Sequence, residues 1–142
     1  EMQFSALTVL LDTGEALLVF RGTDSTLVGW KEDFNLSFLE VVPAQSAALD
    51  YTARLAAARR GSPALREGSY RNVLLTNLQL IFERRTETER VLVAVNADSQ
   101  PYTAHFDAGC GLAWDLISGQ QHDFGGGSQL PPYSAFFWKM ER

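Results

Sequence analysis

A chain of 142 residues, 46% apolar and 20% charged, has the size and make-up of one globular domain with room for a small second unit. Its net charge of −5 excludes an electrostatic case for nucleic acid or an anionic membrane surface. The single cysteine, Cys110, excludes an internal disulfide and fits a reducing compartment, and no apolar run approaches membrane-spanning length.

The N-terminal stretch EMQFSALTVLLDTGE has no basic leader region, and Asp12 breaks its apolar run. No signal peptide is expected, and a cytoplasmic or recombinant location is. Glu1 is not a start methionine, which predicts a fragment or processed product. Ser5 to Leu11 is apolar and partly β-branched, Asp12-Thr13-Gly14-Glu15 has turn chemistry, and Ala16 to Phe20 is a continuous apolar run. This predicts a β-hairpin whose second strand is buried on both faces. Arg21 to Ser25 is a polar break. Leu27, Trp30 and Phe34 then recur at helical spacing across Thr26 to Asn35, interrupted by Val28-Gly29, and Leu36 to Val42 reads as extended.

Pro43 opens a helix running to about Arg60. Ala44, Ala48, Tyr51, Leu55 and Ala58 form its buried stripe, and Asp50 can pair with Arg54 one turn on. Arg59 and Arg60 complement its C-terminus, Gly61 is expected to close it in the left-handed conformation, and Pro63 to prevent continuation.

Beyond this joint the pattern turns to short strands. Ser69 to Leu75 is the first, and Leu78 to Arg84 alternates. Thr86 to Glu89 is a hairpin turn before the buried strand Arg90 to Asn96. Ala97 to Pro101 turns the chain into alternating Tyr102 to Phe106. Gly109-Cys110-Gly111 is a break, Leu112 to Ile117 a strand, Ser118-Gly119 a turn, Gly125 to Gly127 a flexible loop, and Ser134 to Met140 the closing strand. Such spacing argues an antiparallel sandwich rather than βαβ units. The predicted class is α+β: an N-terminal β-hairpin and helix, residues 1–60, joined to an antiparallel Greek-key β-sandwich, residues 61–142.

Asp12-Thr13-Gly14 after three apolar residues resembles the catalytic tripeptide of pepsin-like and retroviral aspartic proteases. Only one copy is present, and Glu15 stands where those families prefer a small residue, so a hairpin turn is the simpler reading. Phe20-Arg21-Gly22-Thr23-Asp24, with Trp30 and Asp33, is more specific. It resembles class-three lipases and a lipase-like bacterial α/β-hydrolase family, and the similarity extends from Phe4 to about Leu55. That resemblance implies that Thr23 is a former oxyanion-region residue. The nucleophile elbow that should follow the helix is missing. Ser62 lacks flanking glycines, Pro63 opposes the elbow's helix, and His105 and His122 without a nucleophile make no triad.

Leu55 to Arg60, Ser62-Pro63-Ala64-Leu65-Arg66, Gly68-Ser69-Tyr70, Phe82-Glu83-Arg84, Arg90 to Asn96, Asp115 to Gly119 and Leu130-Pro131-Pro132-Tyr133-Ser134-Ala135 form an ordered set. It resembles the last barrel helix and C-terminal β-domain of α-amylase-type glycoside hydrolases. The resemblance implies a sandwich that packs on a catalytic barrel this chain lacks, so Glu83, Glu87, Glu89, Asp107, Asp115 and Asp123 inherit no catalytic role. Glu87 and Glu89 are expected to be solvated in their turn. Trp114, Tyr102, Tyr133 and Trp138 are candidates for stacking on sugar rings; core filling is the competing reading. Gly125 to Gly127 lacks the lysine and helix of a phosphate loop, and Cys110 has no metal-ligand spacing with either histidine, so no cofactor or metal is expected.

Two hydrolase fragments, each without its chemistry, therefore meet at the helix from Pro43 to Arg60, which predicts a non-catalytic folded protein of recombined or artificial origin. The alternative is a carbohydrate-binding accessory module with α-glucan as partner. Strand edges cut from a larger sheet also predict self-association into an oligomer.

Overall fold

The computed structural model describes residues 6–10, 16–20 and 43–140. The chain divides into two compact units, Glu1–Leu55 and Ala56–Arg142. The class is α+β, with helix beside a mainly antiparallel sheet of six strands.

In the first unit, β1 (Ala6–Leu10) pairs antiparallel with β2 (Ala16–Phe20), Ala6 opposite Phe20 and Leu10 opposite Ala16. The expectation that β2 is buried on both faces fails at Val19, which is 43% exposed. A neighbouring strand bonds along an edge and not over a face, so the ladder with β1 does not by itself cover Val19. The Asp12-Thr13-Gly14 turn, the Phe20-Arg21-Gly22-Thr23-Asp24 segment beyond Phe20, and the elements expected over 26–42 lie outside the described residues.

Helix α1 (Pro43–Gly61) starts at its proline as expected and crosses the division between the units. Ala48, Tyr51 and Leu55 are half-buried and Ala58 buried, following the stripe read from the sequence. Asp50 and Arg54 form their i,i+4 pair at 2.8 Å, with both side chains more than half exposed. The closing of the helix differs from expectation. Gly61 is its last helical residue and is absent from the left-handed glycines. The helix does end before Pro63, as expected, and Pro63 then opens a second helix, α2 (Pro63–Glu67). The reason is Ser62. Its extended backbone (φ −116°, ψ 109°) breaks α1, and its hydroxyl accepts from the Leu65 N–H at 3.2 Å as the N-cap of α2. Proline at the first position loses no hydrogen bond there.

The second unit is built on a six-stranded antiparallel sheet. Its strands are β3 (Ser69–Leu75), β4 (Gln79–Arg85), β5 (Arg90–Asn96), β7 (Leu112–Asp115), β8 (Gln121–Asp123) and β10 (Ser134–Met140), ordered β3-β4-β5-β10-β7-β8. The last strand therefore inserts between β5 and β7. A second, two-stranded sheet pairs β6 (Tyr102–Ala104) with β9 (Ser128–Leu130). β3, β5 and β10 have the residue limits read from the sequence. Leu78 precedes its strand, and the β6 and β7 segments end earlier than expected, at Ala104 and Asp115. β8 and β9 were not expected; three mostly polar residues carry no alternation to read.

Both faces of the large sheet are apolar. On the inner face Ile81, Leu92, Ala94, Ala113, Trp138 and Met140 pack with Ala104 and Leu130 of the small sheet. On the outer face Phe82, Val91 and Val93 pack with Ala64 and Leu65 of α2. A five-residue helix covers only part of that face. Tyr70, Leu75, Leu112 and Trp114, whose registers place them on it, are exposed.

Candidate functional site

The aromatic residues that the sequence singles out for stacking are separated by the fold. Trp138 lies on the inner face of β10 and is 1% exposed, so it offers no surface to a ligand. His122 stacks on its ring (centroids 4.2 Å, planes 6° apart), Phe124 meets it edge-on at 5.3 Å and Phe136 stacks at 5.4 Å. Tyr102 is half-buried against the same cluster. Trp114 and Tyr133 are the exposed members, at 45% and 50%. Trp114 sits on the outer face of β7, opposite Lys139 of β10 and Gln121 of β8. In β7 the usual reading is inverted, since Leu112 and Trp114 are exposed while Ala113 and Asp115 are buried. Asp115 is buried because it has partners: Oδ1 accepts from the Phe137 N–H at 2.8 Å, and Oδ2 from the Ser118 N–H and hydroxyl at 2.8 and 2.7 Å.

Tyr133 belongs to a fastened corner. Asn96 at the end of β5 is 1% exposed and is its hub. Its Nδ2 donates to the carbonyls of Gln100 (2.9 Å), Leu130 (3.1 Å) and Pro131 (3.0 Å). Its Oδ1 accepts from Gln79 Nε2 (2.9 Å) and the Asp98 N–H (3.0 Å). The Tyr133 N–H donates to the Asp98 carbonyl at 3.1 Å, and the Ser134 hydroxyl to the Pro131 carbonyl at 2.7 Å. One side chain thus ties the loops 97–101 and 131–133 together. The sequence reading passed over Asn96 because it looks like an ordinary strand end.

The titratable groups serve structure. Glu89 is not solvated as expected. Its side chain is 6% exposed, Oε2 accepts from the Ser62 hydroxyl (2.6 Å) and the Ala64 N–H (2.8 Å), and Oε1 pairs with Lys139 (2.7 Å). Burial pushes this carboxyl up, but Lys139, Ser62 and the Ala64 amide outweigh burial and hold it below the usual range. Glu83 behaves alike: burial raises it, and hydrogen bonds and charge from Arg71 and Arg90 bring it below the ordinary value. His122 is pushed down by burial, opposed by the charges of Asp123 and Asp115. Its Nε2 lies 2.9 Å from the Ser128 hydroxyl, but Ser128 is 1% exposed, so no substrate reaches this serine–histidine pair. Ser62, the serine nearest the expected elbow, is equally buried and consumed in capping.

His105 is exposed, and a Cβ placed on Gly127 would come within 2.7 Å of its ring. Gly126 and Gly127 take φ of 85° and 97°, so the triple glycine makes the turn from β8 to β9. Cys110 is a half-buried free thiol. Among the described residues no group of acidic, histidine or cysteine side chains could hold a metal ion, and no helix is long and apolar enough to cross a membrane. Thr23 lies outside the described residues.

A family model described as Mbeg1-like matches residues 1–75, more than half of the chain, taking in both strands of the hairpin, both helices and β3. The chain belongs to the Mbeg1-like family. No curated protein matches its sequence. Among solved structures, AmyP in complex with maltotriose is similar at 23% identity and a TM-score of 0.66, over 72% of this chain and 22% of that one. The α-amylase of Anoxybacillus is similar at 20% identity and a TM-score of 0.62, over 68% and 23%. That of Geobacillus thermoleovorans, solved with acarbose, is similar at 18% identity and 0.62, over 73% and 25%. The Mbeg1-like chain thus shares a fold with part of these proteins and spans about a quarter or less of their length.

Proposed function

We propose that this chain is a non-catalytic accessory protein whose β-sandwich contacts α-glucan without cleaving it. The observation that carries this reading is the fold likeness, which takes in most of this chain but only about 22% of the AmyP chain. The carboxylates support it as well. Glu83 and Glu89 are each held by cationic and hydrogen-bonding partners, and Asp115 closes a turn. Glycoside hydrolysis instead needs two carboxyl groups facing one bond, one of them free to give a proton. In the N-terminal part, the Phe20-Arg21-Gly22-Thr23-Asp24 segment supports a lipase-like ancestry with Thr23 as a former oxyanion-region residue, now without a nucleophile.

Co-sedimentation with insoluble starch, followed by an assay of reducing ends, tests the reading. The protein is expected in the pellet with no sugar released. Release of reducing ends, or of nitrophenol from short-chain esters in a manner abolished by Thr23→Ala, contradicts the non-catalytic part. Absence from the pellet contradicts the glucan part.

A further inference from the structure

The registers of β3, β4 and β5 bring three arginines to one end of the inner face. Glu83 and Arg85 are two residues apart on β4 and so share that face. Arg71 of β3 lies opposite Glu83, and Arg90 of β5 lies opposite Arg85. Ser69 of β3 lies opposite Arg85 on the other side. The carboxylate of this group, Glu83, is buried and is held ionised by Arg71 and Arg90. Three guanidinium groups therefore share a sheet end with one buried negative charge, in a chain whose net charge is −5. Glu87, exposed in the turn that follows, makes no ion pair among the described residues.

Much of the donor capacity of these groups is unspent. A guanidinium carries its N–H donors in a rigid fork. Arg71 places Nε and Nη2 on Glu83 at 3.3 and 3.4 Å, both long. Arg90 gives Glu83 its Nε. The Arg85 side chain is exposed and has no partner among the described residues. Arg85 and Arg90 are like charges directly opposite each other, an arrangement that costs stability in an antiparallel pair. The fold does not need that cost, because Arg71 and Arg90 already satisfy Glu83. Arg90 Nη1 faces Gly109, where a Cβ would come within 3.1 Å, so the loop beside it lays no side chain over the guanidinium there. The Ser69 hydroxyl, on the Arg85 carbonyl at 3.2 Å, is exposed as well.

A cationic excess with open forks and a hydroxyl beside it fits a compact dianion. A phosphoryl group carries a charge of about −1.5 to −2 at neutral pH and oxygens that take bidentate guanidinium bonds. A carboxylate would leave part of the excess uncompensated, and an extended polyanion calls for a longer basic stripe than one sheet end provides. We infer that Arg71, Arg85 and Arg90, with the Ser69 hydroxyl, form a phosphoryl-binding site at the inner-face end of β3, β4 and β5. This site stands apart from the glucan reading and holds whether or not the sandwich contacts sugar.

The test uses the full chain at neutral pH, with inorganic phosphate and glucose 6-phosphate as probes and sodium chloride at equal ionic strength as control, read by amide chemical shifts and thermal unfolding. Both phosphoryl probes are expected to give saturable shifts at 69–71, 83–85 and 90 and to raise the melting temperature, and chloride to do neither. Arg85→Gln binds about tenfold more weakly, the worth of one charge-assisted hydrogen bond. Without phosphate it melts no lower than wild type, since it relieves the opposition to Arg90. Arg59→Gln, at the end of α1, binds as wild type does. Equal binding of the two probes assigns the site to phosphate itself, and tighter binding of glucose 6-phosphate assigns it to a phosphate monoester; either supports the site. An Arg85→Gln chain that melts below wild type gives this side chain a structural role and overturns the proposal. So do undiminished binding by Arg85→Gln, shifts centred on Arg59, Arg60 and Arg66, and a response to phosphate no larger than the response to chloride.

Discussion

Two acidic residues paired with arginine, Asp50 and Glu83, lie in different surroundings. Asp50–Arg54 on α1 is exposed and local, four residues apart. Glu83, with Arg71 and Arg90, is buried and joins three neighbouring strands. The same contrast holds for whole elements. Among the described residues β1 and β2 form a two-stranded ladder with Val19 exposed, whereas β5 and β10 lie at the centre of a six-stranded sheet with apolar packing on both faces. Chemically similar residues therefore differ in energetic weight according to how many distant segments they join. Among the described residues, the buried apolar clusters lie in the second unit.

The largest expected effect comes from the centre of that core. Trp138→Ala removes a ring that contacts His122, Phe124 and Phe136, and should cost about 4 kcal/mol in denaturant unfolding. Val19→Ala on the hairpin should cost no more than about 0.5 kcal/mol. Equal costs would erase the contrast between the units.

The ion pairs sharpen it. Glu83→Ala leaves two guanidinium groups without their buried carboxylate and should cost about 3 kcal/mol. Asp50→Ala removes an exposed helical pair and should cost about 0.5 kcal/mol or less. Ser62→Ala lies between them, at about 1 kcal/mol for the lost cap, because the Ala64 amide and Lys139 still hold Glu89.

Acidity separates the same groups. Glu83 and Glu89 lie below the ordinary value of 4.5 in the folded state, so the unfolded chain binds protons first. Their stabilisation is complete above pH 4.5 and is lost as pH falls through the folded values. His122 lies below 6.5 when folded, so its neutral form also favours the fold: stability is complete above pH 6.5 and declines as pH falls. Unfolding curves should show a small loss just below neutrality that disappears in His122→Phe. A steeper loss in acid should shrink in Glu83→Gln. A stability that rises on acidification from pH 7 to 6 would contradict the placement of His122.

Long strands bounded by turn residues were legible in the sequence. β3, β5 and β10 have seven residues each and sharp turns beside them, so pattern alone sets their limits. β8 and β9 were not legible, because three residues held mainly by neighbouring strands have no period of their own. α2 was hidden by Ser62-Pro63, which reads equally as a stop and as a cap with proline at the first turn; Glu89, 27 residues on, is what fixes Ser62. The candidate site was legible only as residue types. Alternation cannot say which face of a sheet is covered when both are apolar, so Trp114 and Trp138 look alike until the small sheet and α2 are placed. Nor does sequence show that Asn96 would hold three carbonyls, since its acceptors come from segments up to 35 residues away.

The central claim is that Ala56–Arg142 is a self-sufficient folded unit. Expression of residues 56–142 alone, followed by denaturant unfolding and an amide spectrum, tests it most directly. A single cooperative transition and a dispersed spectrum, with the Trp138 and Asn96 signals at their full-chain positions, is the predicted result. A collapsed spectrum without a cooperative transition would contradict it.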